Sequence, residues 1–170
     1  TLTAVNDDSY EVKGEGGGVA KAPKAMVCQA DQTGVQRNNL LLMHLNEGSL
    51  LANIRQRFDA RQVYTHTGEL ELLVLNPYET LPGMYDEKAL KRYRGAALSE
   101  LEPHTYATAE RIFTALRDKG TLAQSVVVSG ESGAGKTETN KHLLQYLRFR
   151  SADEQGGKGG KAERISHVID

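Results

Sequence analysis

Gly130-Glu131-Ser132-Gly133-Ala134-Gly135-Lys136-Thr137 is the stretch on which the reading of this chain turns. It fits the phosphate-binding pattern G-x-x-x-x-G-K-[ST] without a mismatch. Before it stands Ser125-Val126-Val127-Val128-Ser129, a β-branched run that predicts a short buried strand. After it, Leu143, Leu144 and Leu147 recur at helical spacing, with Asn140 and Lys141 on other faces. Strand, glycine loop and helix form the context that the pattern needs.

The residue types suit anion binding. Gly133 and Gly135 put no side chain in the way, so backbone N–H groups can wrap a phosphate. The helix that starts near Lys136 adds the positive end of its dipole. Lys136 is expected to reach the outer phosphates as a point charge, and the Thr137 hydroxyl to ligate Mg²⁺. The competing reading is a glycine-rich turn with an incidental lysine. Chance gives the pattern in about one per cent of chains of this length and glycine content. The flanking strand and helix favour nucleotide binding.

The chain has 170 residues, enough for one cored domain. Its net charge of −1, with 25% charged residues, points to neither a nucleic-acid nor a membrane surface. The single cysteine, Cys28, excludes an internal disulfide framework and suits a reducing compartment. No apolar run approaches a membrane span, and nothing in this stretch reads as a signal peptide, although a chain opening on Thr1 is expected to lack its true N-terminus. The chain opens on Thr1 and stops at Ile169-Asp170 within a helical pattern, so a fragment is expected.

Residues 1–36 are weakly patterned. Tyr10-Glu11-Val12 predicts a short strand, and Gly16-Gly17-Gly18 and Ala22-Pro23-Lys24 read as linker. A flexible lead-in or the tail of a small upstream domain is expected there. From residue 37 the patterning sharpens. Asn46 is the expected N-cap of a helix, with Leu45 and Leu50 as a hydrophobic staple. Leu50, Ile54 and Phe58 share one face, and Arg55, Gln56 and Arg57 are expected on a solvated one.

Val63-Tyr64-Thr65 and Leu70 to Leu75, joined by His66-Thr67-Gly68-Glu69, predict a β-hairpin. Glu69 and Glu71 alternate with leucines and read as solvent-facing rather than as an acid/base pair. Leu72-Leu73-Val74-Leu75 predicts entry into a sheet covered on both faces. Asn76-Pro77-Tyr78 ends that strand, because proline cannot continue a ladder. Leu81-Pro82-Gly83 carries the turn to Tyr85. Asp86 then caps a short helix with Leu90 and Tyr93 that Gly95 stops. A loop at a strand end is where α/β sheets bind ligands. Pro103 to Lys119 is a further helix with Ala109, Ile112, Phe113 and Leu116 on its apolar face and Gly120 after it.

The phosphate-loop helix is expected to end at Arg150. Asp153 to Lys161, rich in glycine, reads as a surface loop, and Arg164 to Asp170 as the start of another helix. The five histidines are scattered without metal-ligand spacing. Ser132 does not sit in a nucleophile elbow. There is no repeat and no aromatic platform for nucleic acid.

Together these pieces resemble the N-terminal part of the myosin motor domain, from about Arg37 onward. The most specific part is Gln124-Ser125-Val126-Val127-Val128-Ser129 with the phosphate loop and Glu138. His44-Leu45-Asn46-Glu47, Tyr64-Thr65, Gly68, Asn76-Pro77-Tyr78, Tyr93-Arg94-Gly95 and Pro103-His104 support it in order. The resemblance implies an α/β fold, a P-loop NTPase-type core with a mixed central sheet flanked by helices, incomplete as a piece of a larger motor domain. Residues 37–170 would be the N-terminal part of that domain.

The resemblance also implies an actin-based motor ATPase using ATP and Mg²⁺, cytoplasmic and associated with the cytoskeleton. Lys136 and Ser132 look like groups near the terminal phosphate, and Thr137 like the Mg²⁺ ligand. Gly130, Glu131, Gly133, Ala134 and Gly135 complete the cradle. Asn76, Pro77 and Tyr85 look like the purine-side loop, with Glu138 near the base. The lysine-containing glycine loop resembles a variable loop of the family beside the nucleotide. The family's switch segments, actin-binding surface, converter and lever, with its light chains or calmodulin, would lie beyond Asp170.

There are departures from the family pattern. Gly83-Met84 adds about one residue before Tyr85, and Glu79 replaces a frequent basic residue. Glu138-Thr139-Asn140-Lys141 permutes the usual order, and Glu102 and Thr105 differ around Pro103-His104. Two rival readings stand beside the motor: another P-loop enzyme, such as a transporter ATPase or small kinase, and a non-hydrolysing nucleotide-binding scaffold.

Overall fold

The computed structural model describes residues 2–6, 9–13, 16–24, 27–97, 100–117 and 123–155. Strands β1 (Leu2–Asn6), β2 (Ser9–Lys13) and β3 (Val19–Pro23) form an antiparallel sheet in chain order. Half-buried Tyr10 and Val12 alternate with exposed Glu11 and Lys13, as a pleated strand requires. The strand expected at Tyr10-Glu11-Val12 is present. Ala22 and Pro23, read from sequence as linker, instead close β3. This is an edge strand, where proline interrupts no inner ladder.

Helix α1 (Glu47–Asp59) starts as expected, with the Asn46 side chain accepting from Ser49 N at 2.9 Å. Its buried face is not the apolar one. Ser49, Asn53 and Arg57 are buried, Leu50 and Ile54 are half-buried, and Phe58 and Leu45 lie exposed. The expected staple therefore buries no Leu45 side chain. Hydrogen bonds explain the choice. Asn53 donates to Gln36 O and Asn39 Oδ1, both at 2.9 Å, and accepts from Gln36 N at 2.8 Å. Arg57, expected in solvent, donates to Tyr64 O at 2.9 Å, to Thr65 Oγ1 at 3.0 Å and to Glu102 at 3.3 Å.

Tyr64 and Thr65 belong to the expected hairpin, β4 (Tyr64–Thr67) and β5 (Glu71–Val74), antiparallel with Tyr64 opposite Val74. Gly68 turns it at φ 74°, and Glu69 and Glu71 face solvent. Leu73 is exposed, so β5 is not covered on both faces. Among the described residues its ladder neighbour is β4 alone.

The largest difference from expectation lies at 125–129. The segment forms no strand, and Val127 is 88% exposed. A strand exists by pairing, and no described neighbour supplies the ladder. The mixed central sheet is accordingly not seen among the described residues, where both sheets are antiparallel. The isolated bridge Asn38–His66 is parallel.

Helix α2 (Glu87–Tyr93) is capped by Asp86, which accepts from Ala89 N at 2.8 Å, and Gly95 follows at φ 70°. Helix α3 (Thr105–Arg117) buries Ala109, Ile112 and Phe113 as its pattern predicts. Gly120, its expected stop, lies outside the described residues. Helix α4 (Lys136–Gln155) runs past Arg150, so Asp153 to Gln155 are helical rather than loop. The rest of that glycine-rich segment and the helix expected at Arg164 to Asp170 lie outside the described residues.

Helices α3 and α4 pack on each other around fully buried Tyr106 and Tyr146. Glu110 of α3 accepts from Tyr146 Oη at 3.0 Å, from Arg150 Nε at 2.6 Å and from Gly95 N at 2.8 Å. This charged cluster anchors the far end of the helix that the phosphate loop opens.

Candidate functional site

Residues 130–135 fold into a tight turn directly before α4. Gly133 and Gly135 have φ of 79° and 92°, values at which any side chain would be strained. The first turn of α4 leaves N–H groups without intrahelical acceptors. Positive backbone curvature followed by a helix start makes a concave row of amides suited to an anion. Ala134 N donates to Glu131 O at 3.2 Å and Thr139 N to Gly135 O at 2.9 Å, which holds the turn on the helix.

Lys136 Nζ donates to Gly130 O and Glu131 O, each at 2.7 Å. The ammonium thus lies across its own loop, within reach of whatever the loop amides hold. Ser132 is exposed in the turn, and Thr137 is exposed in the first turn of α4. A glycine cradle, one ammonium and one accessible hydroxyl fit a phosphate carrying a hard cation, because such cations keep several water and hydroxyl ligands. Among the described residues there is no group of three or more His, Cys, Asp or Glu side chains that would hold a metal.

The structure brings Asn76 to this loop. Its Nδ2 donates to Gly133 O at 2.8 Å, and its Oδ1 accepts from Tyr78 N at 2.9 Å. One side chain therefore ties the end of β5 to the phosphate loop and shapes its own turn. A Cβ on Gly135 would meet Asn76 at 3.8 Å. Tyr78 adopts φ 52° and is 83% exposed beside this contact. Pro77 between them is half-buried.

Tyr85 is placed elsewhere. Its hydroxyl meets Tyr64 Oη at 2.6 Å, and its ring stacks on His142 of α4 at 3.5 Å and 4°. Burial raises the pKa of Tyr85 and, to about 12, that of Tyr106 beside it. Glu138 pairs with Lys141 at 2.7 Å on the exposed side of α4, and that hydrogen bond lowers its pKa. Of the sequence-derived site, Asn76 and the glycine loop are brought together. Tyr85 and Glu138 meet other partners.

Sequence reasoning missed His104. It is buried at the start of α3, and its Nδ1 accepts from Tyr106 N at 3.0 Å, which puts the ring proton on Nε2. Burial depresses its pKa to about 3. The one available signal was its place before an apolar helix, where a capping residue belongs. The Asn76–Gly133 bond had no sequence signal, because 57 residues separate its partners.

The class defined by fold and site is a helical protein with small antiparallel sheets and a positive-φ glycine turn at a helix start. Comparison with known proteins narrows it. The family model for the myosin head (motor domain) matches residues 36–169. Myosin-14 of Arabidopsis thaliana is 44% identical over 106 residues, 62% of this chain and 7% of that protein. Myosin-8 of the same plant is 41% identical over 122 residues, 72% of this chain and 8% of that protein. Protein OPAQUE1 of Zea mays is 43% identical over 108 residues, 64% of this chain and 7% of that protein. The chain belongs to the myosin motor-domain family. The matched region spans less than a tenth of each of these relatives. No helix among the described residues is long and apolar enough to cross a membrane.

Proposed function

We propose that this chain carries the phosphate cradle of an actin-based motor driven by Mg-ATP hydrolysis. Residues 37–170 would form the N-terminal part of the motor domain, following a separate segment at 1–36. The reading rests on family membership and on one observation above all. Residues 130–137 make a positive-φ glycine turn at the start of α4, braced by Asn76.

In this reading the amides of Gly130, Glu131, Ser132, Gly133, Ala134 and Gly135 and the Lys136 ammonium hold the β- and γ-phosphates by charge and geometry. Thr137 would ligate Mg²⁺, which when bound neutralises charge on the phosphate oxygens. Ser132 stands by the terminal phosphate. Asn76 and Pro77 border the purine side, with Glu138 facing the base and Tyr85 fixing the α4 side of that wall through His142. The 125–129 segment and β5 would become part of a mixed P-loop NTPase-type sheet completed by other segments of a longer protein. The same holds for switch segments, the actin surface, and a lever carrying light chains or calmodulin. The working place would be the cytoplasm, on the actin cytoskeleton.

The test is co-sedimentation of full-length protein with actin filaments. Binding without nucleotide and release by Mg-ATP are expected, with Lys136→Ala remaining bound. A protein that ignores actin, or whose release is unchanged in Lys136→Ala, would sink the reading.

A further inference from the structure

A second cavity of about 380 Å³ lies between the end of α1, the start of β4 and helix α2. None of residues 130–137 lines it, so it is distinct from the phosphate loop. Its size falls in the range of small-molecule sites. Val63, Met84, Tyr93 and Pro103 give it apolar walls, and Val63 and Tyr93 are buried.

Its charges are unbalanced. Arg57, Arg61, Lys88 and Arg92 line it against Asp86 and Glu102. Most of these are engaged. Arg57 bonds Tyr64 O and Glu102, Arg61 pairs with Glu79, and Asp86 caps Ala89 N. Lys88 and Arg92 are exposed and make no hydrogen bond or ion pair among the described residues. They stand four apart on α2, hence one turn apart on one face, where like charges repel. A bound anion would relieve that repulsion and meet two cationic donors at once.

We infer that this cavity is a binding site for a compact organic anion, a flat apolar body carrying a phosphate or carboxylate. The body lies between Met84 and Pro103, and the anionic group lies between Lys88 and Arg92. Glu102 is matched by Arg57 and Arg61 by Glu79, and Asp86, which keeps its charge while capping a neutral N–H, offsets only one of the two remaining cations, so the wall stays net positive. The site does not depend on the nucleotide reading, because it shares no residue with the phosphate loop.

Phenyl phosphate is the probe, with ligand-observed NMR titration against the full-length protein. Binding in the millimolar range or tighter is expected, in keeping with the small size of the probe. Saturating Mg-ATP leaves it in place, and Lys136→Ala does not change it. Lys88→Ala with Arg92→Ala weakens it about tenfold; both side chains are exposed, so the fold tolerates their loss. Phenyl phosphate that does not bind, that binds the double variant equally, or that is displaced by Mg-ATP and lost in Lys136→Ala would overturn the proposal.

Discussion

His104 shows how one residue couples burial to pH. Its folded pKa lies near 3, depressed chiefly by burial, against about 6.5 in an unfolded chain. Between those values the unfolded state takes up a proton that the folded state refuses. The contribution is therefore intact above pH 6.5 and is lost as pH falls, with a slope of about 1.4 kcal/mol per pH unit. His104→Asn keeps an acceptor for Tyr106 N but cannot titrate. Urea unfolding from pH 7 to pH 4 should show a shallower loss for the variant. Equal losses would contradict the buried neutral imidazole. The sequence marked this residue by its place before a helix and within Pro103-His104, but not its burial, since burial of a polar ring depends on aromatic neighbours from distant segments. Tyr64, Tyr85 and Tyr93 all lie near its ring.

At the scale of elements, polar anchoring governs two of the helices. Arg57 links α1 to β4, so Arg57→Ala should destabilise by about 3 kcal/mol, by leaving the Tyr64 carbonyl and Glu102 without their partner. Arg55→Ala, on the exposed face, should stay within about 0.5 kcal/mol. Chemical denaturation compares the two, and similar effects would refute the polar docking of α1. On α4, Arg150→Ala leaves the Glu110 carboxylate buried and should cost about 3–5 kcal/mol. With Glu110→Leu added, the double variant should cost less than the sum of the two single variants in a double-mutant cycle, though Tyr146 Oη and Gly95 N then lose their acceptor. An additive double variant would mean that the two groups do not interact.

These same elements show what the sequence made legible. Helix existence, caps and the hairpin followed from local signals: Asn46, Asp86, Gly68 and the apolar spacing of α3. The buried face of α1 did not follow. Hydrophobic periodicity reports Leu50, Ile54 and Phe58, whereas Asn53 and Arg57 are buried through backbone partners that periodicity does not see, and Ser49 lies buried on the same face. The 125–129 run was legible as apolar and β-branched but not as unpaired, because pairing is a property of the sheet. The glycine turn at the start of α4 was legible in the sequence. Its brace, Asn76 on Gly133, was not.

For the molecule as a whole, the edge of β5 away from β4, which has no ladder neighbour among the described residues, and the exposed Val126 and Val127 leave surface that invites association. The 170-residue chain alone should be poorly soluble and show weak or no ATPase, since catalysis by this site needs groups that orient water and sense the third phosphate. Turnover at the rate of an intact motor would contradict that division of labour. In the proposed function the 130–137 loop grips the phosphates of Mg-ATP through Lys136 and its own amides. Calorimetric titration of Mg-ATP into full-length protein, beside the Lys136→Ala variant, tests it most directly. Saturable binding that falls by about two orders of magnitude in the variant is the predicted result. No heat from the native protein, or equal affinity in both, would contradict it.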